Sequence, residues 1–150
     1  MTSRKQHAYE VLLRMARVKE LRAQVALAVA VDGETLAQKR VDDVEEARHA
    51  VMTANSKCVD GRRPMDLARY ELLTRLDAAL SHKLHSAQQE LEQASQQRTE
   101  KASENVLAKR YRERVDEHLD DVRLAYAQGQ AAKAQEEGVE LWLESRGESA

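Results

Sequence analysis

The chain has few of the residues that fill a thick globular core or interrupt a helix. Among its 150 residues there is no Phe, aromatic residues make up 3%, Pro occurs once and Gly five times. Because large aromatic side chains usually fill the interior of a thick domain, their scarcity argues against a compact globular core. Charged residues make up 33% of the chain. Strong helix formers such as Ala, Leu, Glu, Gln and Arg dominate the composition. This composition is typical of a long helix or a coiled coil.

Further absences narrow the class of protein. The single cysteine, Cys58, excludes an internal disulfide and is typical of a reducing compartment. Charges of both signs alternate closely along the chain, and the formal net charge is −2. No basic stripe of the kind that binds nucleic acid stands out. The longest apolar run, residues 25–31, is far shorter than the roughly 20 residues that span a bilayer, and residues 1–5 lead into a charged helical pattern without the apolar core of a signal peptide. We expect a cytosolic protein that does not bind nucleic acid.

Apolar residues recur at spacings of three and four through the first third of the chain, which predicts one helix with a coiled-coil seam. They are Val11, Met15, Val18, Leu21, Val25, Val29, Leu36, Val41, Val44, Val51 and Ala54. Gly33 is the weak point, because Gly costs about 1 kcal/mol relative to Ala inside a helix. We expect a kinked, continuous helix; a break with Thr35 as a new N-cap is the alternative.

A turn follows at residues 58–64. Asp60-Gly61 is a turn pair, and Pro64 near the first helical position presets φ for the next helix. The sequence therefore predicts a single domain over residues 1–150, with helix 1 at about 4–58, a turn at 59–63 and helix 2 at about 64–145. A short connection between two long helices forces them to run antiparallel beside each other.

The second helix has a strong seam at its start and a polar one in its middle. The start carries Leu67, Leu73, Leu76, Leu80, Leu84, Ala87, Leu91 and Ala94. The same rhythm then places Arg98, Lys101, Asn105 and Arg112 on the seam. These are poor core residues, so we expect a weakly specified, flexible stretch, with Ala102, Val106, Ala108 and Tyr111 offering a partly shifted stripe. The rhythm recovers at Val115, Leu119, Val122 and Tyr126.

The difference in helix length predicts a C-terminal helical overhang. If the turn lies near residue 61, the numbers of paired residues add up to about 122. The first residue of helix 1, near residue 4, then lies opposite residue 118 or so. An overhang of about 25 residues would project nearly 40 Å at 1.5 Å per residue. It carries Leu119, Val122, Tyr126, Val139, Leu141 and Trp142. An exposed apolar stripe of this kind marks a binding surface. The predicted fold class is all-α, a long antiparallel two-helix coiled-coil hairpin with this overhang.

A search for chemistry finds no site. The five Gly are scattered singly, without a phosphate-binding loop, and no Ser or Cys lies in a nucleophile motif. His82 and His85 lie one helical turn apart but lack a third ligand, so we expect no metal and no cofactor. An enzyme needs a concave, water-excluding site, which a two-helix hairpin does not build, so we expect no enzyme. A second apolar surface lies after the turn, where Leu72 and Leu76 are offset from the line of Leu73.

Several segments resemble the FliJ/YscO family, the small coiled-coil stalk proteins of flagellar and virulence type III secretion systems, and the plant-pathogen (Hrp) branch most of all. The layout is similar: a helix, a turn near residue 60 and a longer second helix. Three segments are similar as well, namely the stretch from Leu67 to Leu80, the charged segment 109–114 followed by Asp116-Glu117, and Glu140-Leu141-Trp142-Leu143. The likeness covers nearly the whole chain in length and layout, and it is one of pattern rather than of single residues.

The resemblance implies a non-catalytic stalk that couples ATP hydrolysis to protein export from the cytoplasmic base of the secretion apparatus. Such a protein, expected here as a monomer, binds the hexameric secretion ATPase through the end that carries its termini. Its turn end faces an export-gate protein of the inner membrane, and some members also bind export chaperones. Carried over by position, the export-gate contact comprises Leu72, Leu76 and Tyr70, and the family has an aromatic residue where this chain has Leu72. The ATPase contact comprises Arg110, Arg112, Arg114, Leu119, Val122, Tyr126 and Trp142.

Two other function classes stay open at this point. One is a self-associating structural coiled coil, which a stable dimer in dilute solution would favour over an elongated monomer. The other is a dedicated export chaperone, which would bind one substrate tightly and be dispensable for ATPase activity.

Overall fold

The protein consists of two long α-helices that pack against each other. The computed structural model describes residues 3–59, 61 and 64–148. Helix α1 spans Arg4–Cys58 and helix α2 spans Leu67–Glu148, and no strand occurs among the residues so described. The predicted all-α helical hairpin is confirmed. Of the predicted turn at 59–63, Asp60, Arg62 and Arg63 lie outside the described residues.

Both helices begin at a side-chain cap. The hydroxyl of Ser3 accepts a hydrogen bond from the backbone N–H of Gln6 at 3.0 Å, and the Asp66 carboxylate accepts one from the N–H of Arg69 at 3.2 Å. Each cap satisfies one of the N–H groups that the first helical turn leaves without a partner. Because Asp66 caps α2, the helix begins at Leu67 rather than at 64, and Pro64 precedes it instead of occupying its first position.

Helix α1 continues through Gly33 without interruption. The hydroxyl of Thr35 donates a hydrogen bond of 3.0 Å to the carbonyl oxygen of Val31, four residues earlier in the same helix. An N-cap would instead accept a hydrogen bond from a following N–H group. The continuous helix is therefore confirmed, and the alternative of a new helix starting at Thr35 is wrong.

The residues group into two compact units. The first unit combines α1 up to Ala23 with α2 from Asn105 onward, and the second spans Gln24–Glu104. Whether the chain behaves as the expected single domain stays a prediction. The core of the first unit comprises Leu13, Val115 and Leu119, with Tyr9 packed against it. Leu119 is the largest fully buried side chain, and complete burial of a Leu contributes about 1.5–3 kcal/mol. The buried residues of the second unit are Ala37, Val41, Val51 and Ala87.

The apolar stripe predicted as the seam of α1 is wrong over its first part. Seven of its members are 40–66% exposed: Val11, Met15, Val18, Leu21, Val25, Val29 and Leu36. The side of α1 that packs against α2 instead carries Tyr9, Leu13, Ala16, Glu20, Ala23, Leu27, Ala30, Glu34 and Ala37, all buried or half-buried. From Val41 onward the prediction agrees with the structure, since Val41 and Val51 are buried and Val44 and Ala54 half-buried. The buried set recurs every 3.5 residues on average, and the exposed set has gaps of three and four with one of seven, so periodicity alone does not distinguish them.

On α2 the predicted seam is wrong at Leu67 and Leu76, which are 61% and 44% exposed. Its other early members are buried or half-buried as predicted, and the same spacing continues through the polar middle. Arg98, Lys101, Asn105 and Arg112 are all half-buried on the seam, whereas Val106 and Tyr111 of the shifted stripe are 46% and 45% exposed. Two of these polar residues have partners on α1: Arg112 donates to Glu20 in the first unit, and Arg98 to Glu34 in the second. Carboxylates of α1 therefore offset the cost of placing guanidinium groups on the seam.

The register differs from the predicted one by about ten residues in the first unit and by three to ten in the second. In the first unit the Arg112–Glu20 and Arg123–Glu10 ion pairs join residues whose numbers add up to 132 and 133, rather than to about 122. In the second unit the Arg98–Glu34 and Arg48–Asp77 pairs give 132 and 125. The later start of α2 accounts for the shift nearest the connection, because Cys58 and Leu67, the last residue of α1 and the first of α2, have numbers that add up to 125.

Among the residues that the structure describes, no helix has a stretch that is both long and apolar enough to cross a bilayer.

Candidate protein-binding surfaces

The first candidate surface lies at the start of α2 in the second unit and comprises Leu67, Leu72 and Leu76, here called the turn-proximal surface. Their side chains are 61%, 65% and 44% exposed. Leu73, one residue after Leu72, is half-buried toward α1, and so is Tyr70. Because the Asp66 cap fixes where α2 begins, it also fixes which leucines face α1 and which face solvent. Three exposed leucines within three turns exceed what a two-helix seam uses.

The predicted export-gate residues therefore lie in two settings. Leu72 and Leu76 belong to the turn-proximal surface and are open to contact. Tyr70 lies at a seam position, where only part of its ring is accessible. Of the three predicted export-gate residues, Leu72 and Leu76 are therefore the two with exposed apolar area to bury against another protein.

The second candidate surface is the C-terminal part of α2, here called the C-terminal segment, residues 127–147. Every residue in this range is exposed. Its largest apolar side chains, Val139, Leu141, Trp142 and Leu143, are 54–66% exposed. The guanidinium carbon of Arg146 lies 4.7 Å from the centroid of the Trp142 ring. Trp is enriched at interface hot spots because it buries a large rigid area at small entropic cost.

The predicted overhang starts too early in the sequence. Leu119 is fully buried in the core of the first unit, and Val122 and Tyr126 are half-buried beside it. All three were expected on the uncovered part of α2, and that expectation is wrong. The shifted register brings the start of α1 opposite these residues, as the Arg123–Glu10 ion pair at 3.6 Å shows. The exposed part begins after Tyr126.

The three predicted arginines also differ in setting. Arg110 and Arg114 are exposed on α2, whereas Arg112 is half-buried and donates a hydrogen bond to Glu20. This hydrogen bond raises the pKa of Arg112 above its ordinary value. Arg112 thus holds the two helices together, while Arg110 and Arg114 are available to an anionic partner.

Sequence reasoning missed one surface because it was assigned to the seam. In the first unit Leu12, Met15 and Val18 of α1 are 39%, 63% and 49% exposed. Together with Tyr111 of α2 they line a groove of about 450 Å³. The ammonium of Lys19 lies 5.7 Å from the centroid of the Tyr111 ring. The signal was present in the sequence, since α1 carries more apolar heptad positions than one partner helix covers.

The two candidate metal ligands and the clustered carboxylates of both helices do not converge on one site among the described residues. His82 and His85 are both exposed, as are the carboxylates at 42, 43, 45, 46, 120 and 121. In the part of the chain that the structure describes, no three His, Cys, Asp or Glu side chains are close enough to share a metal ion. Cys58 is a half-buried free thiol beside an open groove of the second unit.

Comparisons of the chain with protein-family models, with curated proteins and with solved structures find no match. The functional assignment therefore depends on the surfaces described above and on the sequence resemblance to the FliJ/YscO family.

Proposed function

We propose that the protein is a non-catalytic central-stalk component of a type III secretion system. It binds the hexameric secretion ATPase and an export-gate protein of the inner membrane, couples ATP hydrolysis to export, and acts at the cytoplasmic base of the apparatus. Export chaperones are further candidate partners. The observation that carries the proposal is the C-terminal segment, in which twenty or so consecutive residues of α2 are exposed and include Trp142.

Several features of the first unit support an ATPase contact there. Val139, Trp142 and Leu143 lie within about one helical turn and form an apolar face suited to a helix-in-groove contact. Arg110 and Arg114 add exposed positive charge on the same helix. Leu119, Val122, Tyr126 and Arg112 act indirectly in this proposal, since they hold α2 against α1 and so position the C-terminal segment.

The turn-proximal surface supports an export-gate contact in the second unit. Burying the exposed parts of Leu72 and Leu76 would remove apolar area from water at about 25 cal/mol per Å². The family position that is aromatic carries Leu72 here, so the contact buries a smaller side chain. Tyr70 contributes the accessible edge of its ring.

The ATPase contact is tested by the hydrolysis rate of the candidate secretion ATPase with and without the full chain. We expect stimulation by the full chain and loss of most of it in the Trp142→Ala, Leu143→Ala double variant. Leu124→Ala is the matched control, because Leu124 is a 60% exposed apolar residue of α2 outside the C-terminal segment. Failure of the full chain to stimulate an ATPase that forms hexamers would refute the stalk proposal.

The export-gate contact is tested separately by binding to the cytoplasmic domain of the gate protein. Leu72→Ala with Leu76→Ala should weaken binding by roughly tenfold or more, since removing two interface leucines costs about 1.4 kcal/mol or more. ATPase stimulation should stay unchanged in this variant. Leu36→Ala is the control, because Leu36 is a 59% exposed leucine of the second unit outside the turn-proximal surface. An equal loss in the control would show that the contact is not confined to that surface.

A further inference from the structure

The groove of the first unit is apolar in the middle and basic at its border. Leu12, Met15, Val18 and Tyr111 form its floor, and Arg14 and Arg22 line it together with Lys19. An exposed apolar groove on a helical surface is suited to an amphipathic helix. The charges at its border favour an acidic one.

The basic character extends along the whole start of α1. Residues 4–22 contain six basic side chains, Arg4, Lys5, Arg14, Arg17, Lys19 and Arg22, and two carboxylates, Glu10 and Glu20. Both carboxylates are engaged by α2: Glu10 forms an ion pair with Arg123, and Glu20 with Arg112. The face of α1 that is left to solvent therefore presents positive charge around an apolar stripe.

The C-terminal segment has the complementary pattern. Residues 135–145 contain four Glu, at 136, 137, 140 and 144, and no basic residue. Glu136 and Glu140 are one helical turn apart and border the face formed by Val139, Trp142 and Leu143. All of these side chains are exposed. This stretch is therefore an acidic amphipathic helix that α1 does not cover, and the contact on its apolar face is the Arg146 guanidinium of the same helix beside the Trp142 ring.

We propose that the C-terminal segment of one copy of this chain docks in the groove formed by Leu12, Met15, Val18 and Tyr111 of a second copy. The contact is reciprocal, so the segment of the second copy docks in the groove of the first. The apolar face of Val139 and Trp142 covers Met15 and Val18 of the other copy. Glu136 and Glu140 meet the basic border at Arg14 and Arg22. The pairing satisfies apolar burial and charge complementarity together, which a chance contact rarely does.

The lengths of the two elements agree with this arrangement. Residues 4–22 of α1 and residues 127–147 of α2 each extend about 30 Å at 1.5 Å per residue. The groove borders the seam, since Ala16 of α1 and Tyr111 of α2 both line it. Its residues Met15, Val18 and Tyr111 are already exposed, so docking does not require the helix pair to open. Because each copy offers one groove and one segment, a two-fold axis closes the assembly at a dimer.

This dimer goes beyond the stalk proposal and does not depend on it. It uses the same C-terminal segment, so binding of a secretion ATPase there would have to displace the second copy. The dimer is a reversible state of the free protein, in contrast to the monomer implied by the family resemblance. Its test needs no ATPase, so the two proposals fail independently.

Sedimentation velocity and the fluorescence of Trp142, the only Trp of the chain, measure the association of the full-length protein. Between about 1 and about 500 μM we expect a monomer–dimer equilibrium, a range that corresponds to weak protein–protein affinity. The Trp142 emission should shift to shorter wavelength as the ring is buried in the dimer. Raising the salt concentration should weaken association, because the ion pairs at the groove border are screened.

Two charge-reversal variants locate the contact. The Arg14→Glu, Arg22→Glu variant changes the groove border, and the Glu136→Arg, Glu140→Arg variant changes the segment. Each should weaken dimerisation by roughly tenfold or more, since like charges then face each other across the contact. The Arg110→Glu, Arg114→Glu variant is the control, with the same change of charge in the same unit but outside the groove, and it should dimerise as the unchanged protein does.

Mixing the two defective variants gives the decisive result. The acidic groove of one variant accepts the basic segment of the other, and the two unchanged elements also match. A heterodimer should therefore form with about the affinity of the original dimer. Circular dichroism of each variant establishes that it remains helical. A chain that stays monomeric throughout, a dimer insensitive to both charge reversals, or a mixture without heterodimers would overturn the proposal.

Discussion

The carboxylate of Glu20 on α1 accepts a hydrogen bond from Nε of Arg112 on α2, a residue 92 positions later in the chain. The side chains are 13% and 26% exposed, respectively, so the pair is largely screened from solvent by the two helices. A second pair of the same kind joins Glu34 and Arg98 in the other unit. Polar groups at such seam positions fix register and orientation, because any shifted pairing leaves a charge without its partner.

Charge exchange tests this role of the Glu20–Arg112 pair. Glu20→Arg and Arg112→Glu should each lower the Tm, because each places two like charges together on the seam. The double exchange should recover most of the loss. Because the pKa of Arg112 is raised in the folded protein, its guanidinium is protonated at every pH below the ordinary pKa of arginine. The stability linked to that shift is lost only as the pH rises through the higher pKa of the folded state. The recovery should therefore be the same at pH 6 and pH 8.

Thermal unfolding followed by circular dichroism measures the effect. Exchange at the Arg40–Glu90 pair is the control, since its side chains are 68% and 55% exposed and the pair contributes little. Equal effects at both pairs would contradict a register role for Glu20 and Arg112.

Leu119 is expected to be the most sensitive apolar position of the first unit. Leu119→Ala should lower the free energy of unfolding by about 2–4 kcal/mol, because a fully buried Leu loses its contacts with Leu13 and Val115 and leaves a cavity. Leu124→Ala, five residues later and 60% exposed, should change it by less than about 0.5 kcal/mol. Urea unfolding gives both values. Similar losses at the two positions would show that α2 faces α1 in another rotation.

Asn105 is expected to trade stability for specificity. Its Oδ1 atom is buried on the seam and has no hydrogen-bond partner among the described residues. Asn105→Leu should raise the free energy of unfolding by about 1 kcal/mol, because a buried unsatisfied polar group is replaced by an apolar one. The variant should also form more higher-order species, since a polar seam residue restricts alternative pairings.

Chemical unfolding and sedimentation velocity measure the two effects of Asn105→Leu. Gln96→Leu, at an exposed position of α2, is the control for added hydrophobicity. Destabilisation of the Asn105→Leu variant would contradict the prediction and indicate that Asn105 has a satisfied hydrogen bond in solution.

The start of α2 depends on its cap at Asp66. Asp66→Ala should lower the free energy of unfolding by about 1 kcal/mol, because the N–H group of Arg69 loses its acceptor. Asp66→Asn keeps an acceptor oxygen and should cost only a few tenths of that. Hydrogen exchange of the backbone N–H groups from Arg69 onward would report fraying of the first turn in the Ala variant alone. Equal fraying in both variants would argue against a capping role.

The helical fold followed from the sequence because its causes are local. Strong helix formers, one Pro and an Asp-Gly pair place two long helices around a connection near residue 60. The spacing of three and four on α2 also located most of its seam, including Arg98 and Arg112, although Leu67 and Leu76 of the predicted seam are exposed. The exposed apolar cluster at Val139–Leu143 followed in the same way, from the excess length of α2.

What the sequence left undecided was which side of α1 faces α2 and in which register. Val11, Met15 and Val18 recur at the same spacing of three and four as Tyr9, Leu13 and Ala16. The side of α1 that packs against α2 also includes Glu20 and Glu34, so it is the less apolar of the two sides. In the structure these carboxylates pair with Arg112 and Arg98, and the packed side also buries Leu13 and Ala16. Such pairs join residues far apart in sequence, so their energy enters only once the helices are brought together. The tertiary structure thereby placed Leu119 in the core and left Met15 and Val18 on the surface.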